Sequence, residues 1–182
     1  WAQDLLLALD SGKLKLEMYQ LEQWRLMHIG AQPVPPSLIK RWKEYFPNHS
    51  IAAVTTGQLI PLSEVKDQVF SQRMMGDGIA IIPDGDCIVA PCDGVIKMMY
   101  PTLHAFGIEN NDGLEILVHI GIDTINLKGQ GFKKYVKEGQ RVSLGDKVIS
   151  VNNYQLKNNG IDLTTMMLFP NNKFPLKFVC KG

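Results

Sequence analysis

The stretch PTLHAFGIENNDGLEILVHI, residues 101–120, reads as a strand, a tight turn and a second strand. Its centre is Asn110-Asn111-Asp112-Gly113, where asparagine and aspartate bond their own backbone and glycine supplies a positive φ. Hairpin closure at this turn lays the flanking strands side by side, and His104 and His119 then have access to one face. Thr102 precedes His104 by two residues, so on a strand its hydroxyl points to the same side. There it can accept a hydrogen bond from a ring nitrogen and fix the tautomer.

The same grammar continues outward from this hairpin. Ile79–Ile82, Cys87–Ala90, Gly94–Met98, Leu114–His119, Arg141–Val142 and Lys147–Val151 are short apolar segments, predicted as strands. Pro83-Asp84-Gly85-Asp86, Asp93-Gly94, Glu138-Gly139 and Gly145-Asp146 punctuate them as turns. Strands this short, at this spacing, predict a mainly β domain, an antiparallel β-sandwich or barrel-like fold. Val89-Ala-Pro-x-x-Gly94-Val and Val136-x-x-Gly139-x-x-Val142-x-x-Gly145-Asp resemble the turn pattern of hybrid-motif β folds, biotinyl carriers among them.

Residues 1–49 have a different grain. Leu14, Met18, Leu21 and Trp24 recur at helical spacing with charged residues between them. Gln32-Pro33-Val34-Pro35-Pro36 breaks that helix, and Leu38, Trp42 and Tyr45 mark a second, ended by Pro47. The expected organisation is a short α-helical extension or linker over 1–49, followed by a β-domain over 50–182. Two such helices need a covering surface, supplied by the β-domain or by another chain.

Composition narrows the functional classes. Of 182 residues, 45% are hydrophobic and 20% charged, a soluble globular profile. Nineteen basic and eighteen acidic residues give a net charge of +1, which leaves no nucleic-acid footprint. The apolar runs Leu5–Leu9 and Ile116–Val118 are too short for membrane insertion, and Asp4 and Asp10 bracket the only apolar stretch near the start. Cys87, Cys92 and Cys180 have no metal-ligand spacing, and unpaired thiols fit a reducing, cytoplasmic location. Trp1 in first place implies a longer natural chain, with room for an upstream domain.

Two imidazoles without an activated serine or cysteine suit one chemistry well. With an ordinary pKa of ~6.5, imidazole is largely neutral and nucleophilic near pH 7 and accepts a phosphoryl group covalently. A second, oriented imidazole can stabilise the phosphoryl oxygens, and phosphoryl transfer asks chiefly for positioning and electrostatics. Phe70, Met75, Tyr100 and Phe106 are candidates for an apolar surround that excludes water. Spacing alone leaves two alternatives open: structural histidines, or part of a zinc site with Asp123 as third ligand.

Longer motifs carry a resemblance. Glu64-Val-x-Asp67-x-Val-Phe70-Ser, Met75-Gly-Asp-Gly-Ile-Ala-Ile-x-Pro83 and Val89-Ala-Pro-x-Asp-Gly94 are similar to the glucose-type IIA domain of the bacterial phosphoenolpyruvate-dependent sugar phosphotransferase system. So are Thr102-x-His-Ala-Phe-Gly-Ile108, Gly113-x-Glu-Ile-Leu-Val-His-Ile-Gly-Ile-Asp-Thr124 and Leu127-x-Gly-x-Gly-Phe132, all in family order over about residues 55–150. The resemblance implies a β-sandwich with a shallow apolar face around the histidines. It implies that His119 accepts a phosphoryl group from the histidine-containing phosphocarrier protein and passes it to a cysteine of a IIB domain of a sugar permease. His104, held by Thr102, would support that group, with no cofactor and no metal. Asp123 lies near the site in that reading, and Asp67, Phe70, Met75 and Phe106 match the docking face. The segment after Val151 departs from the family, with Phe174–Val179 expected to supply one strand where the family has two.

Other classes fit less well. A hybrid-motif zinc peptidase uses a histidine–aspartate spacing such as His119-x-x-x-Asp123, but also needs a downstream His-x-His, and no histidine follows His119. A biotinyl carrier lacks its Met-Lys-Met context at Ile96-Lys97-Met98. A regulatory IIA-like module fused to a transporter or regulator remains as the alternative.

Overall fold

Antiparallel pairing organises most of the described residues. The computed structural model describes residues 26–29, 50–170 and 179–180. Its strands are β1 (Leu26–Ile29), β2 (Ser50–Ala52), β3 (Gly57–Pro61), β4 (Asp77–Pro83), β5 (Cys87–Val89), β6 (Gly94–Met99) and β7 (Ala105–Asn110). There follow β8 (Glu115–Ile120), β9 (Phe132–Lys134), β10 (Arg141–Val142), β11 (Lys147–Val151), β12 (Thr165–Phe169) and β13 (Val179–Cys180). Two short helices join them, α1 (Gln68–Ser71) and α2 (Asn153–Asn158).

A seven-stranded sheet in the order β10-β6-β7-β8-β12-β4-β3 faces a three-stranded sheet β5-β11-β9. Between them lies the main core, with Ile79, Ile81, Ile96, Phe106, Ile108, Ile116, Val118, Ile120, Met167 and Phe169 meeting Ile88, Val148 and Ile149. This is the mainly β, sandwich-like architecture that the turn grammar implies. The hairpin closes at Asn110, whose side-chain oxygen accepts from the Asp112 and Leu114 amides at 2.9 and 2.8 Å. It sets β7 against β8 with Ala105 opposite His119 and Phe106 opposite Val118.

The opposite face of the large sheet carries a second, smaller apolar layer: Leu62, Val65, Phe70, Ala80, Met166 and Leu168. Leu62 and Val65 come from the 3-10 turn Leu62–Glu64 and its flank, and Phe70 from α1. Covering the sheet on both faces explains why β12 is buried at every position and shows no polar alternation. That strand was not among those expected from the sequence, and neither were β3 and β9.

Two expectations change. The helical reading of residues 1–49 does not hold at Leu26–Ile29, which pair in parallel with Ser50–Ala52 and with Val179–Cys180. Leu26–Ile29 is too short a run for its periodicity to separate helix from strand. The two helical stripes, and all but the end of Phe174–Val179, lie outside the described residues. The second change is Phe106, expected on the docking face. Its exposure is 0%, and it points into the main core because its neighbour Ala105 occupies the face shared with His119. We expect Phe106→Ala to cost about 3–5 kcal/mol in chemical denaturation, the usual range for emptying an aromatic site in a core. A loss below about 1 kcal/mol would contradict this placement.

Candidate functional site

His119 stands on β8, the central strand of the large sheet, between Ala105 of β7 and Met166 of β12. Its side chain emerges on the face of the smaller apolar layer, where the Phe70 ring lies 4.9 Å away, tilted by 55°. His104 precedes β7, and its ring meets that of His119 edge-on, with centroids 5.1 Å apart. Tyr100 covers the far side of His104 at 4.9 Å. The structure thus brings Phe70, His119, His104 and Tyr100 into one row.

Backbone turns set both imidazoles. The chain leaves β6 through a turn closed by the Leu103 amide donating to the Tyr100 carbonyl at 2.9 Å, with Leu103 at φ 57°. Thr102 and His104 therefore meet across a turn rather than along a strand, yet the contact expected from their spacing forms: Thr102 Oγ1 and His104 Nδ1 are 2.5 Å apart. At the end of β8, Gly121 turns back at φ 76°, and its carbonyl accepts from His119 Nδ1 at 3.0 Å. A Cβ at Gly121 would lie 2.5 Å from Thr124 Cγ2 and 2.8 Å from the Asp162 carbonyl oxygen, so glycine is required by conformation and by space. With the proton held on Nδ1, Nε2 of His119 carries a free lone pair.

Burial dominates the electrostatics. Desolvation and the neighbouring His104 push the His119 pKa down to about 4, against the opposing pull of the Gly121 carbonyl, Asp67 and Asp123. Burial likewise lowers the His104 pKa below its ordinary value. Both rings are neutral at pH 7. Asp67 caps α1, its carboxylate accepting from the Val69 amide at 2.7 Å, and so fixes the helix that presents Phe70 to His119. Asp123 is exposed, at φ 55°, in the turn after β8.

Around this row the surface is apolar. Val69, Met74 and Met75 are exposed on or just after α1. Met98 of β6 pairs with Gly107 of β7 on the His119 side of the sheet, where a Cβ on Gly107 would touch it at 3.6 Å. Of the residues singled out for an apolar surround, Met75 is exposed, Phe70 is buried against the His119 ring, and Phe106 is buried in the main core. Val69, Met74 and Met98 were missed; their signal was apolar character at positions with no room in the core.

The molecule is similar to glucose permease IIA from Mycoplasma capricolum, with 40% identity, a TM-score of 0.66, and coverage of 69% of this chain and 82% of that one. The phosphoenolpyruvate-dependent sugar phosphotransferase system EIIA 1 family matches residues 49–174, the segment that builds both sheets and both histidine turns. The chain belongs to that family, and it is a phosphoryl carrier of the sugar phosphotransferase system.

Proposed function

We propose that His119 is the phosphoryl acceptor, with Nε2 as the attacking atom. The observation that carries this reading is a neutral, largely desolvated imidazole whose Nδ1 is tied to the Gly121 carbonyl while Nε2 has no hydrogen-bond partner among the described residues. The lone pair on Nε2 forms the P–N bond as the bond to the donor's histidine nitrogen breaks, with the phosphoryl group in line between them. The donor is the histidine-containing phosphocarrier protein. The onward acceptor is a cysteine thiolate of a IIB domain, which takes the phosphoryl group and restores the imidazole.

His104 supports the transferred group. A neutral His104 donates from Nε2 only if its Nδ1 is unprotonated, so the Thr102 hydroxyl must donate to Nδ1. That reverses the direction of hydrogen bonding first assigned to Thr102 and keeps its role. The partners dock on the apolar rim of Val69, Met74, Met75 and Met98, with Phe70 and Tyr100 walling the two rings and Asp67 and Asp123 flanking them. Residues 50–182 form the carrier domain and 1–49 an extension to it. No helix among the described residues is long and apolar enough to cross a membrane. We place the domain in the cytoplasm, where its partners act.

Three outcomes test this reading. With phosphoenolpyruvate, enzyme I and the phosphocarrier protein, intact-mass measurement should register one acid-labile phosphoryl group on the wild type and none on His119→Ala. His104→Gln should still accept the group but pass it on at least tenfold more slowly, because an amide donates a hydrogen bond without reproducing the imidazole. Acceptance by His119→Ala but not by His104→Gln would reverse the roles.

The pH dependence follows from the depressed pKa. Protonation removes the Nε2 lone pair, so His119 should stay competent down to about pH 4, well below the 6.5 of a free imidazole. The unfolded chain binds its proton near 6.5 and the native chain only near 4, so this group makes stability fall as pH drops through that window. An NMR titration of the His119 ring should have its midpoint near 4, and a midpoint at or above 6.5 would refute the desolvated site.

Docking should be apolar in origin. Met75→Glu puts a charge on the rim without touching either imidazole, and we expect the Michaelis constant for the phosphocarrier protein to rise roughly fivefold or more, with kcat little changed. An unchanged constant would move the docking surface elsewhere.

A further inference from the structure

His119 owes its tautomer to one carbonyl, and that carbonyl belongs to a turn whose residues need their own restraint. The Gly121 amide donates to the Thr164 carbonyl at 3.1 Å, and the next amide, of Ile122, donates to the Asp162 carbonyl at 2.8 Å. Both acceptors sit on one short loop entering β12. That loop is shaped by the Asp162 carboxylate, whose Oδ1 accepts from the Thr164 amide at 3.0 Å and from the Thr164 hydroxyl at 2.6 Å. The other oxygen, Oδ2, faces Lys66 Nζ at 3.8 Å, one residue before the Asp67 cap of α1.

We propose that Asp162 is a positioning residue for phosphoryl acceptance: its carboxylate folds the Asp162–Thr164 loop so that the carbonyls of Asp162 and Thr164 grip the Gly121–Ile122 backbone and aim the Gly121 carbonyl at His119 Nδ1. The proposal rests on the reading of His119 as acceptor. Its logic is geometric. Gly121 lacks a side chain to hold itself, and at φ 76° it sits where glycine has the most freedom to lose. Without the two carbonyl anchors, the peptide after Gly121 can rotate its oxygen away from the ring. Nδ1 then loses its acceptor, the proton redistributes between the two ring nitrogens, and part of the population presents Nε2–H, which cannot attack phosphorus.

The carboxylate suits this task. Burial opposes its ionisation, but the two Thr164 hydrogen bonds and Lys66 outweigh burial and leave the Asp162 carboxyl below its ordinary pKa. It stays charged through the neutral range and keeps both Thr164 bonds.

The experiment reads the tautomer and the kinetics separately. Imidazole 15N NMR of the unphosphorylated full chain at pH 7 should give His119 a single Nδ1–H tautomer, with slow exchange of that proton. Asp162→Ala should mix the tautomers, speed that exchange, and slow phosphoryl acceptance roughly tenfold or more, with the Michaelis constant for the phosphocarrier protein unchanged. Asp162→Asn should restore both readouts, because an amide oxygen can accept the same two hydrogens from Thr164. If Asp162→Ala fails to fold by circular dichroism, Thr164→Val carries the test. It deletes only the 2.6 Å bond and should speed Nδ1 proton exchange at least threefold. A folded Asp162→Ala protein, or a Thr164→Val protein, with the wild-type tautomer and exchange rate would overturn the proposal, as would mixed tautomers in the wild type. Since the tautomer is read with no phosphoryl donor present, a wild type with the single tautomer that accepts no phosphoryl group would refute the role of His119 and leave the positioning by Asp162 separately decided.

Discussion

The pairing of β8 between β7 and β12 governs everything else in this domain. Side chains on a strand alternate faces, so the register that sets Ala105 opposite His119 also commits Phe106, Val118 and Met167 to the core between the sheets. A slip by one residue would bury the imidazole among isoleucines and expose Val118. The Asn110 turn pins that register through two side-chain hydrogen bonds to the backbone. The large core beneath makes any alternative pairing costly, because each fully buried aliphatic side chain contributes about 1.5–3 kcal/mol relative to exposure.

On this frame the site is defined by what surrounds it more than by the charges near it. Asp67, Asp123 and the Gly121 carbonyl all favour a charged His119, and they lose to burial and to the second imidazole. The outcome is chemically useful: a protonated ring has no lone pair for phosphorus. Solvent exclusion by Phe70 and the small apolar layer therefore keeps the ring neutral as well as contributing to packing.

Much of this was legible in the residues. Asn110-Asn111-Asp112-Gly113 announces its turn, and a hairpin there makes neighbours of two histidines far apart in the chain. The contact between Thr102 and His104 was also legible, though for the wrong geometric reason. Strand parity predicts it, but the left-handed residue Leu103 breaks that parity. Phe106 was placed at the site by its apolar character and by the resemblance, whereas the strand starts at Ala105 and puts Phe106 on the face opposite the imidazole. Strand β12 escaped notice because burial on both faces erased its alternation. The grip on Gly121 was invisible for another reason, since it is made by backbone carbonyls of residues some forty positions further on.

Placing the His119 ring on the central strand also determines how it moves. Amides in the middle of a seven-stranded sheet open to solvent chiefly when the whole sheet opens, whereas a one-turn helix such as α1 can fray alone. The backbone beneath His119 thus belongs to the last cooperative unit to melt, and the wall formed by Phe70 to one of the first. Fluctuations of α1 can open or close the approach to the two imidazoles while His119 keeps its orientation, so breathing at the rim is decoupled from alignment at the centre.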